Sequence, residues 1–170
     1  MRNLILLSIV ASLIGIASVA VAAQGFPWND FKPRTLKDIV KIDSEEIENS
    51  MQRNSLIMHG DMLMSVVRVK YAGKRRPISN VKRELLNKWG KMLGQTDEYL
   101  SNYETDFLFT EAGTDYWLPV QKKVSSYFPK ELSEGDEVDI YIIRVGGVCI
   151  KKDCDWIFLV EEYQKPKAAN

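Results

Sequence analysis

Side chains that commonly carry catalysis are scarce in this 170-residue chain. His59 is the single histidine, so no second imidazole can act as its partner, and His59 with Asp61 is not a recognised zinc-ligand spacing. The sequence contains neither a Gly-x-Ser-x-Gly nucleophile elbow nor a Walker-type phosphate loop. These patterns exclude serine hydrolases of that type and P-loop enzymes, and we expect neither a bound metal nor a cofactor.

Two carboxylates near one predicted turn, Glu111 and Asp115, are the remaining candidates for acid chemistry. Some hydrolases use a pair of carboxylates as acid and base. Acidic residues beside turns more often face solvent or cap backbone groups. We therefore keep an enzyme only as a minor alternative, in which Glu111 would be essential.

The two cysteines, Cys149 and Cys154, lie between two strand-like runs and are separated by four residues. Redox-active pairs are more often spaced Cys-x-x-Cys at a strand-to-helix turn. The pattern therefore predicts a structural disulfide at the tip of a hairpin. Closing so short a loop contributes about 2 kcal/mol in the chain-entropy model.

The charges balance overall but are segregated along the chain. Lys plus Arg and Asp plus Glu number 23 each, so net charge does not indicate a nucleic-acid partner. Residues 97–115 contain six acids and no base, and residues 68–91 contain one acid, Glu84. This distribution predicts a dipolar molecule. The basic residues of the second run are Arg68, Lys70, Lys74, Arg75, Arg76, Lys82, Arg83, Lys88 and Lys91.

The first 23 residues have the anatomy of a signal peptide, with Arg2, an apolar run over 4–16 and small residues at 20–23. A transmembrane anchor is the alternative interpretation, because such a run could span a bilayer. We favour export, so the protein is expected to be secreted or periplasmic. Membrane contact would then occur only through the uncleaved signal peptide.

Hydrophobic periodicity predicts the elements that position these residues. Residues 24–60 are expected to form an N-terminal arm with a short helix over 35–51, residues 61–164 one domain, and residues 165–170 a frayed tail. A turn over 72–77 precedes a helix capped by Ser79 or Asn80, which stops at Gly94 and whose apolar residues are Val81, Leu85, Trp89, Met92 and Leu93. A hairpin turn follows at 111–114, and a helical stretch begins near Val120. The predicted strands are 62–71, 107–109, 116–118, 138–145 and 156–160.

This order predicts an α+β fold that is mainly β. We expect a five-stranded OB-like, partly open barrel with a helix inserted between strands 1 and 2 and a helix between strands 3 and 4. The alternative is a general α+β sheet with two helices on one face.

Roughly the last hundred residues contain several short motifs. They are Gly73-Lys74 before Pro77, Lys88-Trp89-Gly90, Phe109-Thr110-Glu111, Trp117-Leu118-Pro119-Val120-Gln121, Gly135-Asp136 and Trp156. In this pattern the chain resembles small secreted bacterial proteins of uncharacterised function with an OB-like C-terminal region. The resemblance implies export and a shared fold, and it implies no activity.

OB-like barrels commonly bind ligands across strands 2 and 3, between the loops that join strands 1 to 2 and 4 to 5. Here those loops are the basic insertion and the disulfide-bonded tip, so both rims would be cationic. The candidate ligand-binding residues are Lys74, Arg75, Arg76, Lys151 and Lys152, with Tyr116 and Trp117 between them. In the alternative interpretation, the lysines of the helix face solvent and Trp89, Trp117 and Trp156 are core residues.

We therefore expect an exported, non-catalytic binding module for an anionic glycan or an acidic protein, because cationic rims around aromatic rings suit such ligands. Nucleic acid is disfavoured by the compartment. The alternative is a structural or protein-interaction subunit of the bacterial envelope, docked on another protein through Trp28 and Phe31 of the arm.

Overall fold

The computed structural model describes residues 26–50, 55–150 and 153–166. The predicted signal peptide, Lys151, Lys152 and residues 167–170 of the predicted tail lie outside the described residues. Within the described ranges, no helix combines the length and apolar character needed to cross a membrane.

The protein is an α+β fold built mainly from strands, and seven strands form one sheet. The strands are β1 (Lys32–Pro33), β2 (Ser55–Met58), β3 (Met64–Pro77), β4 (Thr105–Glu111), β5 (Thr114–Val120), β6 (Glu137–Ile150) and β7 (Asp153–Gln164). The helices are α1 (Leu36–Ser50), α2 (Asn80–Met92), α3 (Asp97–Leu100), α4 (Lys122–Ser125) and α5 (Phe128–Glu131).

Five of these strands form a partly ring-like arrangement. The sheet order is β1-β3-β4-β5-β7-β6-β2, and β3 also pairs with β6, which returns the sheet to its first long strand. The connection between β5 and β7 is parallel and consists of the pair Val120 and Val160. The described residues that precede this pair in the two strands do not pair with each other. We call the resulting gap, between residues 114–119 and 153–159, the seam.

Alternation along the strands produces two apolar layers. In β7, Phe158 and Val160 face the interior of the ring, whereas Ile157 and Leu159 face outward beneath α2. The interior also contains Val67, Phe107, Phe109, Leu118 and Ile140, and the outer layer contains Leu85, Leu86, Trp89 and Ile143.

Helix α2 begins and ends where the sequence predicts. The Ser79 hydroxyl accepts a hydrogen bond from the Lys82 amide, and Gly94 follows the helix with φ of +68°. The predicted apolar face is partly wrong, because Val81 and Met92 are each 47% exposed and Lys82 is buried. The buried stripe starts one position later and consists of Lys82, Leu85, Leu86 and Trp89.

The predicted turn over 72–77 is instead the second half of β3. Gly73 has φ of +68°, and the register between β3 and β4 shifts between Tyr71 and Arg75. This is a β-bulge, in which an irregular pairing bends a continuous strand. The basic residues that follow Gly73 therefore lie on a strand and not on a loop.

The segment before residue 61 contributes to the sheet and to both apolar layers. Leu36 and Ile39 of α1 lie in the ring interior, and Phe31 packs against Tyr141 of β6 in the outer layer. The segment also contains β1 and β2, which the periodicity does not predict. Trp28 is the one named docking residue that is exposed, at 39%.

Both predicted hairpins are present. Ala112 and Gly113 have φ of 49° and 85° and join β4 to β5, as a two-residue turn with positive φ requires. At the end of the β6–β7 hairpin, Cys149 lies directly opposite Cys154 and the two form a disulfide.

Candidate functional site

Arg76 and Trp117 are brought together on the outer face of the ring. The guanidinium carbon of Arg76 lies 4.3 Å from the centroid of the Trp117 ring. Its Nε donates to Oδ2 of Asp106, the residue opposite it in β4, at 3.3 Å. The Arg76 side chain remains 44% exposed. It therefore combines a fixed position with a cationic group that solvent can reach.

Lys82 connects the strands on the two sides of the seam. Its ammonium donates to the Trp117 carbonyl oxygen of β5 at 2.9 Å and to Asp106 Oδ2 of β4 at 3.3 Å, and it lies 3.1 Å from Asp155 Oδ1 of β7. An ammonium has three donors, so all of them have an acceptor here. Lys82 thus takes the place of backbone hydrogen bonds that the seam lacks.

The carboxyl group of Asp106 is enclosed by this network. Burial raises the pKa of Asp106, and the charges of Lys82 and Arg76 oppose that rise. A buried carboxylate is stable only when it is paired and hydrogen-bonded. The buried charge of Asp106 therefore explains why Lys82 of α2 is buried.

The three consecutive basic residues of β3 do not share one face. Arg75 lies opposite Phe107, whose side chain faces the ring interior, and Arg76 lies opposite Asp106 on the outer face. The charge of Arg75 acts on Tyr71, where it opposes the rise in pKa that burial causes. Lys74 follows the bulge glycine and is exposed, as is Arg75. The predicted rim is therefore divided between two faces.

The predicted aromatic pair is divided in the same way. Tyr116 lies opposite Phe109 and packs against the ring interior, whereas Trp117 lies on the outer face beneath Arg76. Both side chains are half-buried. Both residues nevertheless line one groove at the seam.

This groove has a volume of about 400 Å³ and follows the seam between β5 and β7. Helix α1 supplies one wall through Val40 and Ser44. Trp156 is mostly buried, with its ring against Gly147 of β6, where an added Cβ would lie 2.7 Å from the ring. The aromatic and polar residues that line the groove are Ser44, Thr114, Asp115, Tyr116, Trp117, Asp155 and Trp156.

Two carboxylates stand at the groove. Asp115 Oδ1 accepts a hydrogen bond from the Thr110 hydroxyl at 2.8 Å, and Asp155 Oδ1 contacts Lys82. Within residues 26–50, 55–150 and 153–166, no donor hydrogen-bonds to Oδ2 of either residue. Each therefore presents one acceptor oxygen to a ligand.

Glu111 has a structural role that competes with the proposed acid pair. Its Oε1 accepts from the Leu36 amide at 2.8 Å and its Oε2 from the Lys37 amide at 2.9 Å. These amides belong to the first turn of α1, which has no intrahelical partner for them. Glu111 therefore holds α1 on the end of β4, and Asp115 binds Thr110 instead.

A buried charged cluster joins α1 to β6. Arg144 donates to Asp43 Oδ1 at 2.7 Å and to both oxygens of Asp61 at 2.7 and 2.8 Å, and His59 Nε2 lies 3.4 Å from Asp43 Oδ2. Burial acts to raise the pKa of Asp61, but the hydrogen bonds and charge of Arg144 outweigh it and leave that pKa lowered. Arg144 occupies the space between the carboxylates. In the described part of the chain, no His, Cys, Asp or Glu side chains are grouped as metal ligands.

Sequence reasoning missed this cluster, although two signals were present. Asp43 follows Leu36 and Ile39 at helical spacing, so it falls on the buried stripe of α1. Arg144 is the single charged residue in the run over 140–150 of β6. A charged residue at each of two buried positions indicates an ion pair between them.

Another acid that is absent from the sequence predictions is Glu161 of β7, which is half-buried. The hydroxyls of Tyr99 and Tyr103 both donate to its Oε1. Burial raises the pKa of Glu161, and these two hydrogen bonds act in the opposite direction. The group fixes the segment around α3 against the sheet.

The predicted charge dipole is largely neutralised by contacts within the fold. Arg68 pairs with Asp139, Lys88 pairs with Glu84, and the guanidinium of Arg83 donates to the carbonyl oxygens of Leu100 and Tyr103. Together with Lys82, these place four of the nine basic residues in contacts within the fold, and Arg76 stays partly exposed. No protein-family model and no curated protein matches the chain.

Proposed function

We propose that this protein is an exported, non-catalytic binding module that recognises an anionic ligand at the exposed end of β3 and at Trp117. The observation that carries the proposal is the stacking of Arg76 on Trp117, 4.3 Å from guanidinium carbon to ring centroid. A cation held against an aromatic ring at a solvent-accessible position offers both charge and stacking surface to one ligand.

The strand order supports an OB-like interpretation of the ring. Counting β3, β4, β5, β6 and β7 as strands 1 to 5, the order around the ring is 1-2-3-5-4-1. Helices α2 and α3 are inserted between strands 1 and 2, and α4 and α5 lie between strands 3 and 4. Barrels of this kind bind ligands across strands 2 and 3. Those strands are β4 and β5, and Trp117 lies on the second of them.

The charge available at this place supports an anionic ligand. Lys74 and Arg75 are exposed, and neither forms an ion pair with a described acidic residue. Arg76 adds a partly exposed guanidinium on the face that it shares with Lys74, whereas Arg75 lies at the same strand end on the other face. A carboxylate, sulfate or phosphate group of the ligand would form charge-assisted hydrogen bonds with these three side chains.

The disulfide between Cys149 and Cys154 supports an oxidising compartment. It agrees with the signal-peptide interpretation of residues 1–23, and both favour a secreted or periplasmic location. In that location an acidic glycan is a more accessible ligand than nucleic acid.

The proposal is tested by titrating residues 24–170, with the disulfide intact, with a sulfated polysaccharide and a polyuronate at 50 and 300 mM salt. The decisive variant is Lys74→Ala with Arg75→Ala. Arg76 is left in place because it also neutralises the buried Asp106. The matched control, Lys91→Ala with Lys123→Ala, removes the same charge from other exposed positions.

We expect saturable binding that weakens with salt and is at least tenfold weaker in the Lys74/Arg75 variant. The control should bind as the unmodified protein does. Equal losses in the two variants would mean that only net charge matters, and the proposed site would be wrong.

A protein-interaction subunit is the second candidate, and the exposure of Trp28 favours it. Trp28 is 39% exposed beside Phe26 and Tyr141, whereas Phe31 is buried and cannot dock elsewhere. This candidate predicts a stoichiometric complex in envelope extract that is lost on Trp28→Ala and survives the Lys74/Arg75 change.

A further inference from the structure

We infer that the groove at the seam binds one sugar ring, so that the anionic ligand is an acidic oligosaccharide. This inference rests on the proposed function, because it names the chemistry of the ligand that the basic end of β3 would recognise. It adds a second contact surface, formed by Trp117, Trp156, Asp115 and Asp155.

The aromatic rings of the groove provide stacking surfaces. The apolar C–H face of a pyranose packs well on an aromatic ring, whose body is apolar and whose polar edge can contact water. The half-buried rings of Tyr116 and Trp117 line the groove, whereas Trp156 is 8% exposed and is held against Gly147. The backbone of Trp117 is held by Lys82. Because these rings are fixed before the ligand arrives, little side-chain entropy is lost on binding.

The carboxylates of the groove favour a ligand that carries hydrogen-bond donors. Asp115 and Asp155 are exposed carboxylates that line the groove and can only accept hydrogen bonds, so the matching groups are donors. Sugar hydroxyls are donors, and a hydroxyl bound to a carboxylate forms a charge-assisted hydrogen bond. Both aspartates repel any anionic group, but a uronate ring compensates because its hydroxyls donate to them. Polyphosphate and acidic peptide side chains lack such donors.

The groove and the basic end of β3 meet at Trp117. Trp117 lines the groove, and Arg76 lies over its ring. An oligosaccharide with one ring in the groove could therefore reach Arg76 and Lys74 with an acidic group on a neighbouring ring. The groove volume of about 400 Å³ lies within the roughly 300–1,000 Å³ range of small-molecule sites.

Calorimetric titration with three probes tests this assignment: an oligogalacturonate, the neutral oligogalactose of the same length, and polyphosphate. The variants are Trp117→Leu and Asp115→Ala, and the matched control is Glu98→Ala on the exposed side of α3. Thermal unfolding of each variant shows whether a change in affinity reflects loss of the fold.

We expect oligogalacturonate to bind most tightly and oligogalactose more weakly. Both should lose about tenfold in affinity in each groove variant and none in the control. If oligogalacturonate affinity falls in the Lys74/Arg75 and Trp117→Leu variants but not in Asp115→Ala, the groove assignment is wrong and the proposed function stands. If polyphosphate binds as tightly as oligogalacturonate, the groove does not select a sugar ring. If no anionic probe binds, the proposed function and this inference both fail.

Discussion

Arg76 stacks on Trp117 with 4.3 Å between guanidinium carbon and ring centroid, and its Nε is held by the buried carboxylate of Asp106. The contact joins the basic end of β3 to the aromatic wall of the seam groove. Asp106 also binds Lys82, which in turn bridges β5 and β7. The candidate site and the closure of the ring therefore depend on the same buried acid.

Lys82→Met should destabilise the protein by about 3–5 kcal/mol, because it leaves Asp106 buried with one partner in place of two. Urea unfolding followed by tryptophan fluorescence measures this change. The double variant Lys82→Met with Asp106→Asn should recover part of the loss, since it removes the unpaired charge. A cost below about 1 kcal/mol for the single variant would show that Lys82 does not hold the seam.

Glu111→Gln should cost about 1–2 kcal/mol, because the neutral amide can accept only one of the two hydrogen bonds at the start of α1 and no longer complements the helix dipole. The unfolding free energy measures this effect, and Glu98→Gln is an exposed control. If Glu111→Gln leaves stability unchanged, the residue does not anchor α1, and a chemical role becomes worth testing.

Stability should fall as pH rises above about 4.5, in part because of Glu161. Burial raises the pKa of this carboxyl above its ordinary value of 4.5, so the folded state binds the proton more tightly than the unfolded state. The contribution of Glu161 to the free energy of unfolding is complete below pH 4.5 and is lost as pH rises through the raised pKa.

In Glu161→Gln, the decrease in unfolding free energy from pH 4.5 to pH 7 should therefore be smaller. It should not vanish, because the pKa of Asp106 is raised by burial as well. Exposed Glu134→Gln is the control. An unchanged pH profile in Glu161→Gln would contradict this assignment.

Replacing both Cys149 and Cys154 by serine should lower the unfolding free energy by about 2 kcal/mol, since the disulfide closes only a short loop. Denaturant titration measures the loss, and mild reduction of the unmodified protein should reproduce it. A loss of the whole fold would show that the tip supports more than one hairpin.

Local signals in the sequence predict much of the fold. The cap at Ser79, the stop at Gly94 and the turn at Ala112 and Gly113 depend on neighbouring residues, so single-chain patterns contain them. Strands β1 and β2 have two and four residues and owe their conformation to partners far along the chain. Periodicity within so short a segment cannot reveal them.

The candidate site is harder to predict because it depends on which face each residue occupies. Arg75 and Arg76 are consecutive, yet strand alternation directs them to opposite sides. The bulge at Gly73 sets which side each one takes. From the sequence alone, Lys82 is expected on the solvent-exposed face of α2. In the fold, its ammonium donates a hydrogen bond to Asp106 of β4.

The most direct test of the binding proposal follows the indole N–H resonances of the four tryptophans by NMR during titration with oligogalacturonate. The site predicts saturable shifts for Trp117 and Trp156, which line the groove, and unchanged resonances for buried Trp89 and distant Trp28. Four unchanged resonances at saturating probe, or a shift confined to Trp28, would contradict the proposed site.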